Sequence, residues 1–225
     1  STGADTITAS SGTNTVDAGD GSDTITLNGG NNTVVASLGN DTLTASGGTN
    51  TVATGVGNNT LVLNNGVNSI KASTGNDTIT ANGGFNTIDA GAGIDNITLS
   101  GGNNTLYAGS GNDLITVSGG TNTLATDGGD NTVVLYGGTN SVTAGAGNDT
   151  VTANGGFNTI TAGLGDNTLQ LNNGTNSVLA SSGADTITAV NGVNTVDAGD
   201  GVDTILLSGG RNTVYAGADN DLITV

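Results

Sequence analysis

The chain has 225 residues, 41 of them glycine, and no proline, cysteine, methionine, tryptophan or histidine. Its formal net charge of −17 comes from nineteen aspartates against Lys71 and Arg211, which excludes the basic footprint of a nucleic-acid binder and makes cations the natural partners. Only five aromatic residues are present, so no thick core can be built, and no apolar stretch is long enough for membrane insertion.

From Gly3 to Gly210 glycine falls at every ninth position, twenty-four times without insertion or deletion. A period this short marks a solenoid in which neighbouring repeats stack to share one core. The first repeat supplies an extended run, Asp5-Thr6-Ile7-Thr8-Ala9, followed by a turn of Gly, Ser and Asn, and the second repeat supplies another. Two runs complete a coil. The reading is all-β: a parallel β-roll, or two-sided β-solenoid, with 18 residues per coil and about 12.5 coils over a single continuous domain, 1–225. Coils stacked at about 4.8 Å give a body roughly 60 Å long. No capping element is visible at either end, so the expectation is a piece of a longer array or end-to-end self-association.

Alternation along the runs points Ile7, Ile25, Leu43, Leu61 and Ile79 inward against Val16, Val34, Val52, Ile70 and Ile88. A second inward column alternates small and large, as in Ala9, Leu27, Ala45, Leu63, Ala81 and Leu99, opposite a column that is mostly Ala. Such alternation lets large residues interdigitate in a narrow core.

Successive turns differ. Those entering one strand set end in Asp at 5, 23, 41, 77, 95, 113, 149, 185, 203 and 221, with Asn at 59, 131 and 167; those entering the other end in Asn from Asn14 to Asn212 without exception. The remaining acids, Asp20 and Asp200 among them, lie in or just before turns of the Asp type. Stacked amides can donate to one neighbour and accept from the other, so the Asn edge reads as a structural ladder. Carboxylates stacked at about 4.8 Å repel by roughly 1 kcal/mol per neighbour in water and more at lower dielectric. Hard divalent cations held by carboxylates and turn carbonyls would offset that repulsion, and calcium suits a flexible all-oxygen site better than magnesium. Asp residues that merely accept turn N–H bonds in a cation-free roll are the alternative.

The stretches Ala18-Gly19-Asp20-Gly21-Ser22-Asp23-Thr24-Ile25-Thr26, Ala108-Gly109-Ser110-Gly111-Asn112-Asp113 and Ala198-Gly199-Asp200-Gly201-Val202-Asp203 resemble the RTX calcium-binding nonapeptide repeat, G-G-x-G-x-D-x-U-x. Ala stands at the first glycine place, and in Ala36-Ser37-Leu38-Gly39-Asn40-Asp41 Ser stands at the second, where a positive φ would matter. The resemblance implies calcium between successive turns, with Asp5, Asp20, Asp23, Asp41, Asp77, Asp95, Asp113, Asp149, Asp185, Asp200, Asp203 and Asp221 as ligands and Asn59, Asn131 and Asn167 interrupting the array. It also implies a secreted, extracellular or bacterial cell-surface protein with a structural or adhesive role, whose partner would be a cell surface or a polysaccharide.

Outward on the Asp-entered strands run two Thr columns, Thr6 and Thr8, Thr24 and Thr26, Thr42 and Thr44, Thr78 and Thr80, Thr150 and Thr152, and Thr186 and Thr188. Strand propensity of a β-branched residue explains them simply. The double row is also similar to the ice-binding faces of β-solenoid antifreeze proteins, which implies ice as a partner. Catalysis is not expected. The chain has no His, Cys or Glu, and translational repetition gives its Asp residues similar surroundings instead of a pair with divergent pKa values.

Overall fold

In the computed structural model, which describes residues 2–225, the chain winds into two parallel sheets joined by alternating turns. The first four strands set the pattern: β1 (Thr6–Ala9), β2 (Thr13–Asp17), β3 (Thr24–Asn28) and β4 (Asn31–Val35). β1 pairs with β3, and β2 with β4, residue for residue at a spacing of eighteen. Repetition to Leu222–Thr224 yields a first sheet of 13 strands and a second of 12. This is the two-sided β-solenoid that the glycine period implies.

The core is the thin double layer expected. Ile25, Leu43, Leu61 and Ile79 from the first sheet, and Val34, Val52, Ile70 and Ile88 from the second, are all buried, while Ile7 and Val16 in the first coil pack against them only in part. The small-large alternation follows the register, with Ala9 beside Leu27, Leu27 beside Ala45 and Ala45 beside Leu63. Leu27 and Leu63 therefore each extend over an Ala in the coil on either side. Two threonines enter the column otherwise held mostly by Ala: Thr54 and Thr126 are fully buried, and their hydroxyls donate to the carbonyls of Ala72 and Ala144 at 3.1 and 2.6 Å. A buried hydroxyl needs such a bond to be tolerated among apolar neighbours.

Close stacking explains the unbroken glycine. At the Asn edge the chain reverses through two residues with positive φ, such as Gly29 and Gly30 at 72° and 80°. The first position also accepts Asn, as at Asn65, φ 60°, because an Asn side chain tolerates the left-handed region. The second does not: a Cβ on Gly30 would lie 2.5 Å from the Gly12 carbonyl oxygen of the coil below. At the Asp edge a Cβ on Gly39 would collide with the Gly21 carbonyl in the same way. The period of nine is thus a period of backbone contact. Backbone bonds such as Gly39 N–H to the Val56 carbonyl, 2.9 Å, tie successive Asp-edge loops together.

A candidate calcium edge

The loop Ala36-Ser37-Leu38-Gly39-Asn40-Asp41 shows how the Asp edge is built. Ser37 adopts φ 75° and Gly39 φ 142°, so the loop keeps its positive φ even where Ser replaces glycine. The turn delivers the Asp41 side chain into the interior, where the residue is 2 % exposed. Its Oδ1 accepts the backbone N–H of Asp23 at 2.9 Å. The same bond recurs from the Asp5 N–H to Asp23 and from the Asp77 N–H to Asp95, at 2.8 and 2.7 Å.

The second carboxylate oxygen has no such partner. Oδ2 of Asp23, Asp41, Asp77, Asp95, Asp113, Asp149, Asp185 and Asp203 is buried without a hydrogen bond. Burial pushes the carboxyl of Asp95 up to about 6 from its ordinary 3.8; the bond from the Asp77 backbone opposes this, and repulsion from Asp113 and Asp77 adds to it. Burial likewise raises Asp41, Asp77, Asp113, Asp149, Asp185 and Asp203. An orphaned buried carboxylate oxygen is costly, and a whole row of them fits a cation with hard-oxygen preference. The residues present therefore suit calcium. Among the described residues no group of three or more acidic side chains that could hold a metal ion by itself occurs.

A model of the RTX calcium-binding nonapeptide repeat (4 copies) matches this chain in ten stretches, from 1–34 to 188–223. The chain belongs to the RTX calcium-binding repeat family. Calcium is the cofactor of these repeats, and they are non-enzymatic. Among solved structures, the chain is similar to a hyperactive, Ca2+-dependent, β-helical antifreeze protein from an Antarctic bacterium, with a TM-score of 0.69 and 20 % identity over 97 % of this chain and 83 % of that one. No curated protein matches.

The residues that carry the RTX resemblance are not all placed alike. Eight of the aspartates form the buried row. Asp5 and Asp221 extend it at the two ends in half-buried positions, and Asp221 Oδ1 accepts the Asp203 N–H at 3.0 Å. Asp20 and Asp200 stand outside the row with exposed side chains. Asp17, Asp89 and Asp197 close strands of the second sheet just before Asp-edge turns, with their side chains alternating outward from the core.

A further ladder lies outside the RTX row. Asn40 Oδ1 accepts the Asn58 N–H at 2.8 Å, and Asn58 Oδ1 accepts the Asn76 N–H at 2.7 Å. The pattern resumes through Asn112, Asp130, Asn148 and Asp166. It runs opposite to the inner row: here the lower coil's side chain accepts from the coil above. The Asn-Asp pairs of the sequence carried the signal, but in a chain so rich in Asn they read only as turn composition.

Among the described residues no buried side-chain atom of the Asn edge lacks a hydrogen bond. Asn32 donates from Nδ2 to Asn50 Oδ1 at 2.7 Å and to the Gly29 carbonyl at 3.0 Å, and its own Oδ1 accepts from Asn14. The chain repeats this arrangement to Asn212. On the outer face of the first sheet, Thr6, Thr24 and Thr42 align in register, as do Thr8, Thr26 and Thr44. Val62 then breaks the second column and Asn96 and Leu114 break the first, which runs on from Thr132 to Thr204; both columns hold Thr together again at Thr78 with Thr80, Thr150 with Thr152, and Thr186 with Thr188.

Proposed function

We propose that this chain is an extracellular structural repeat domain whose Asp edge is closed and stiffened by calcium. The observation that supports this best is the row of eight buried Oδ2 atoms without a hydrogen bond, in the turns that match the RTX repeat. The carboxylates of Asp5, Asp23, Asp41, Asp77, Asp95, Asp113, Asp149, Asp185, Asp203 and Asp221 hold the ion between successive coils together with loop carbonyls, and exposed Asp20 and Asp200 attract it. Calcium supplies positive charge where burial has stripped the carboxylates of water. Because the ligands come together only in the folded chain, binding energy adds to stability. The regular part of the surface then serves as a rigid spacer for adhesion to a cell surface or polysaccharide.

Circular dichroism during calcium titration, with chelator reversal, tests this reading. A calcium-dependent gain of β signal or of melting temperature is expected. A chain whose fold and melting temperature are the same in excess chelator and in calcium would overturn it.

Ice binding is the second reading. It draws support from the aligned Thr columns of three successive coils and from the similarity to a calcium-dependent antifreeze protein. Thermal hysteresis that disappears on Thr26→Tyr would support it. Absence of hysteresis in the calcium-loaded protein would end it.

A further inference from the structure

Three coils carry Asn where the rest of the edge carries Asp, and their bonds reveal what the exchange does. Asn59, Asn131 and Asn167 accept at Oδ1 from the backbone N–H of Asp41, Asp113 and Asp149, each at 3.0 Å, as the Asp residues accept in their own coils. Their Nδ2 groups donate to the carbonyls of Gly57, Gly129 and Gly165, each at 2.9 Å. In the eight buried Asp coils the matching atom is Oδ2, and the matching carbonyl belongs to the glycine two residues earlier. Two acceptors then share the space in which the amide makes a bond. The orphaned oxygens all lie in Asp coils, and all three Asn side chains are satisfied although each is 1 % exposed.

We propose that Asn59, Asn131 and Asn167 are calcium-free clamps, each with a side-chain amide in the place of the ion. They divide the edge into separate calcium-binding blocks: Asp5 with Asp23 and Asp41, Asp77 with Asp95 and Asp113, and Asp185 with Asp203 and Asp221. Asp149 is left alone between two clamps, and its coil is the weakest calcium site. Depletion of calcium therefore loosens the blocks between clamps, while the clamped coils stay closed. This inference rests on the calcium reading above, but it assigns a distinct role to three residues that bind no metal.

The test uses the whole chain and two reciprocal variants, Asn131→Asp and Asp95→Asn. Bound calcium is measured by native mass spectrometry at neutral pH, and melting temperature by calorimetry in excess chelator. Asn131→Asp is expected to take up more calcium than the parent and to melt lower in chelator, with calcium restoring it. Asp95→Asn is expected to take up less calcium and to melt higher in chelator than the parent.

If the parent binds calcium but Asn131→Asp binds no more and melts with the parent in chelator, the clamps are overturned and the calcium edge stands. A parent that takes up no calcium overturns both. Should Asn131→Asp not fold, Asp95→Asn decides alone: fewer ions with a higher melting temperature in chelator supports the clamps, and an equal or lower one overturns them.

Discussion

At the Asn edge each buried side chain donates from Nδ2 to two oxygens and accepts at Oδ1; at the Asp edge one oxygen accepts a backbone N–H and the other meets no donor. Both edges share the same coil spacing, the same depth of burial and the same close backbone stacking. The difference lies in the second atom of the side-chain head. An amide carries donor and acceptor together, so a column of amides completes itself, whereas a column of carboxylates carries acceptors only and needs something from outside. One edge is self-sufficient and the other is conditional.

The largest expected effect comes from moving the conditional chemistry to the wrong edge. Asn122→Asp would remove the donor to Asn140 Oδ1 and to the Gly119 carbonyl, now at 2.8 and 2.9 Å, and bury a charge without a partner. A loss of about 3–5 kcal/mol is expected, read as a shift of the urea midpoint and not recovered by calcium. Full recovery by calcium would mean that the two edges are chemically interchangeable.

Acidification separates the calcium-free and calcium-loaded states. The carboxyl of Asp95 titrates at about 6 in the fold against 3.8 as its ordinary value, and six neighbours along the row are raised as well. A raised folded pKa contributes stability that is complete below pH 3.8 and is lost as the pH rises through 6. Calcium-stripped protein should therefore melt higher at pH 4 than at pH 7. Calcium-loaded protein should show the reverse over the same interval, because protons compete with the ion. Melting curves at both pH values check this, and parallel trends in the two states would contradict it.

Smaller effects concern the shared backbone. Gly101→Ala places a Cβ in open space and strains only a positive φ of 66°, at about 1 kcal/mol. Gly102→Ala adds a contact at 2.5 Å with the Gly84 carbonyl and should cost more, as judged by denaturation midpoints. The smallest effect is expected outside: Thr80 is half-buried and faces outward on the first sheet, so Thr80→Tyr should change stability by no more than about 0.5 kcal/mol.

The fold was legible because every level of the sequence repeats in phase. Glycine spacing fixed the coil, alternation at Ile25, Leu27 and Val34 fixed the inward faces, and Asn14 to Asn212 announced a ladder that the hydrogen bonds bear out. The difference between Asp and Asn turns was also visible. What the residues alone could not convey was burial and direction. Asp23 and Asp20 stand three positions apart in one turn, yet one is buried and the other exposed, because the loop's glycine conformations decide which side chain turns inward. The role of Asn59 was visible only as an interruption. Its amide bond to Gly57 depends on a carbonyl orientation that no residue pattern records.

Diffraction from crystals grown in calcium, recorded at a wavelength with anomalous scattering from the ion, tests the conditional edge most directly. Anomalous peaks are expected beside the buried Oδ2 atoms of successive Asp coils, such as Asp77, Asp95 and Asp113, with none along the Asn edge. A folded solenoid in saturating calcium with no peak beside those oxygens would contradict it.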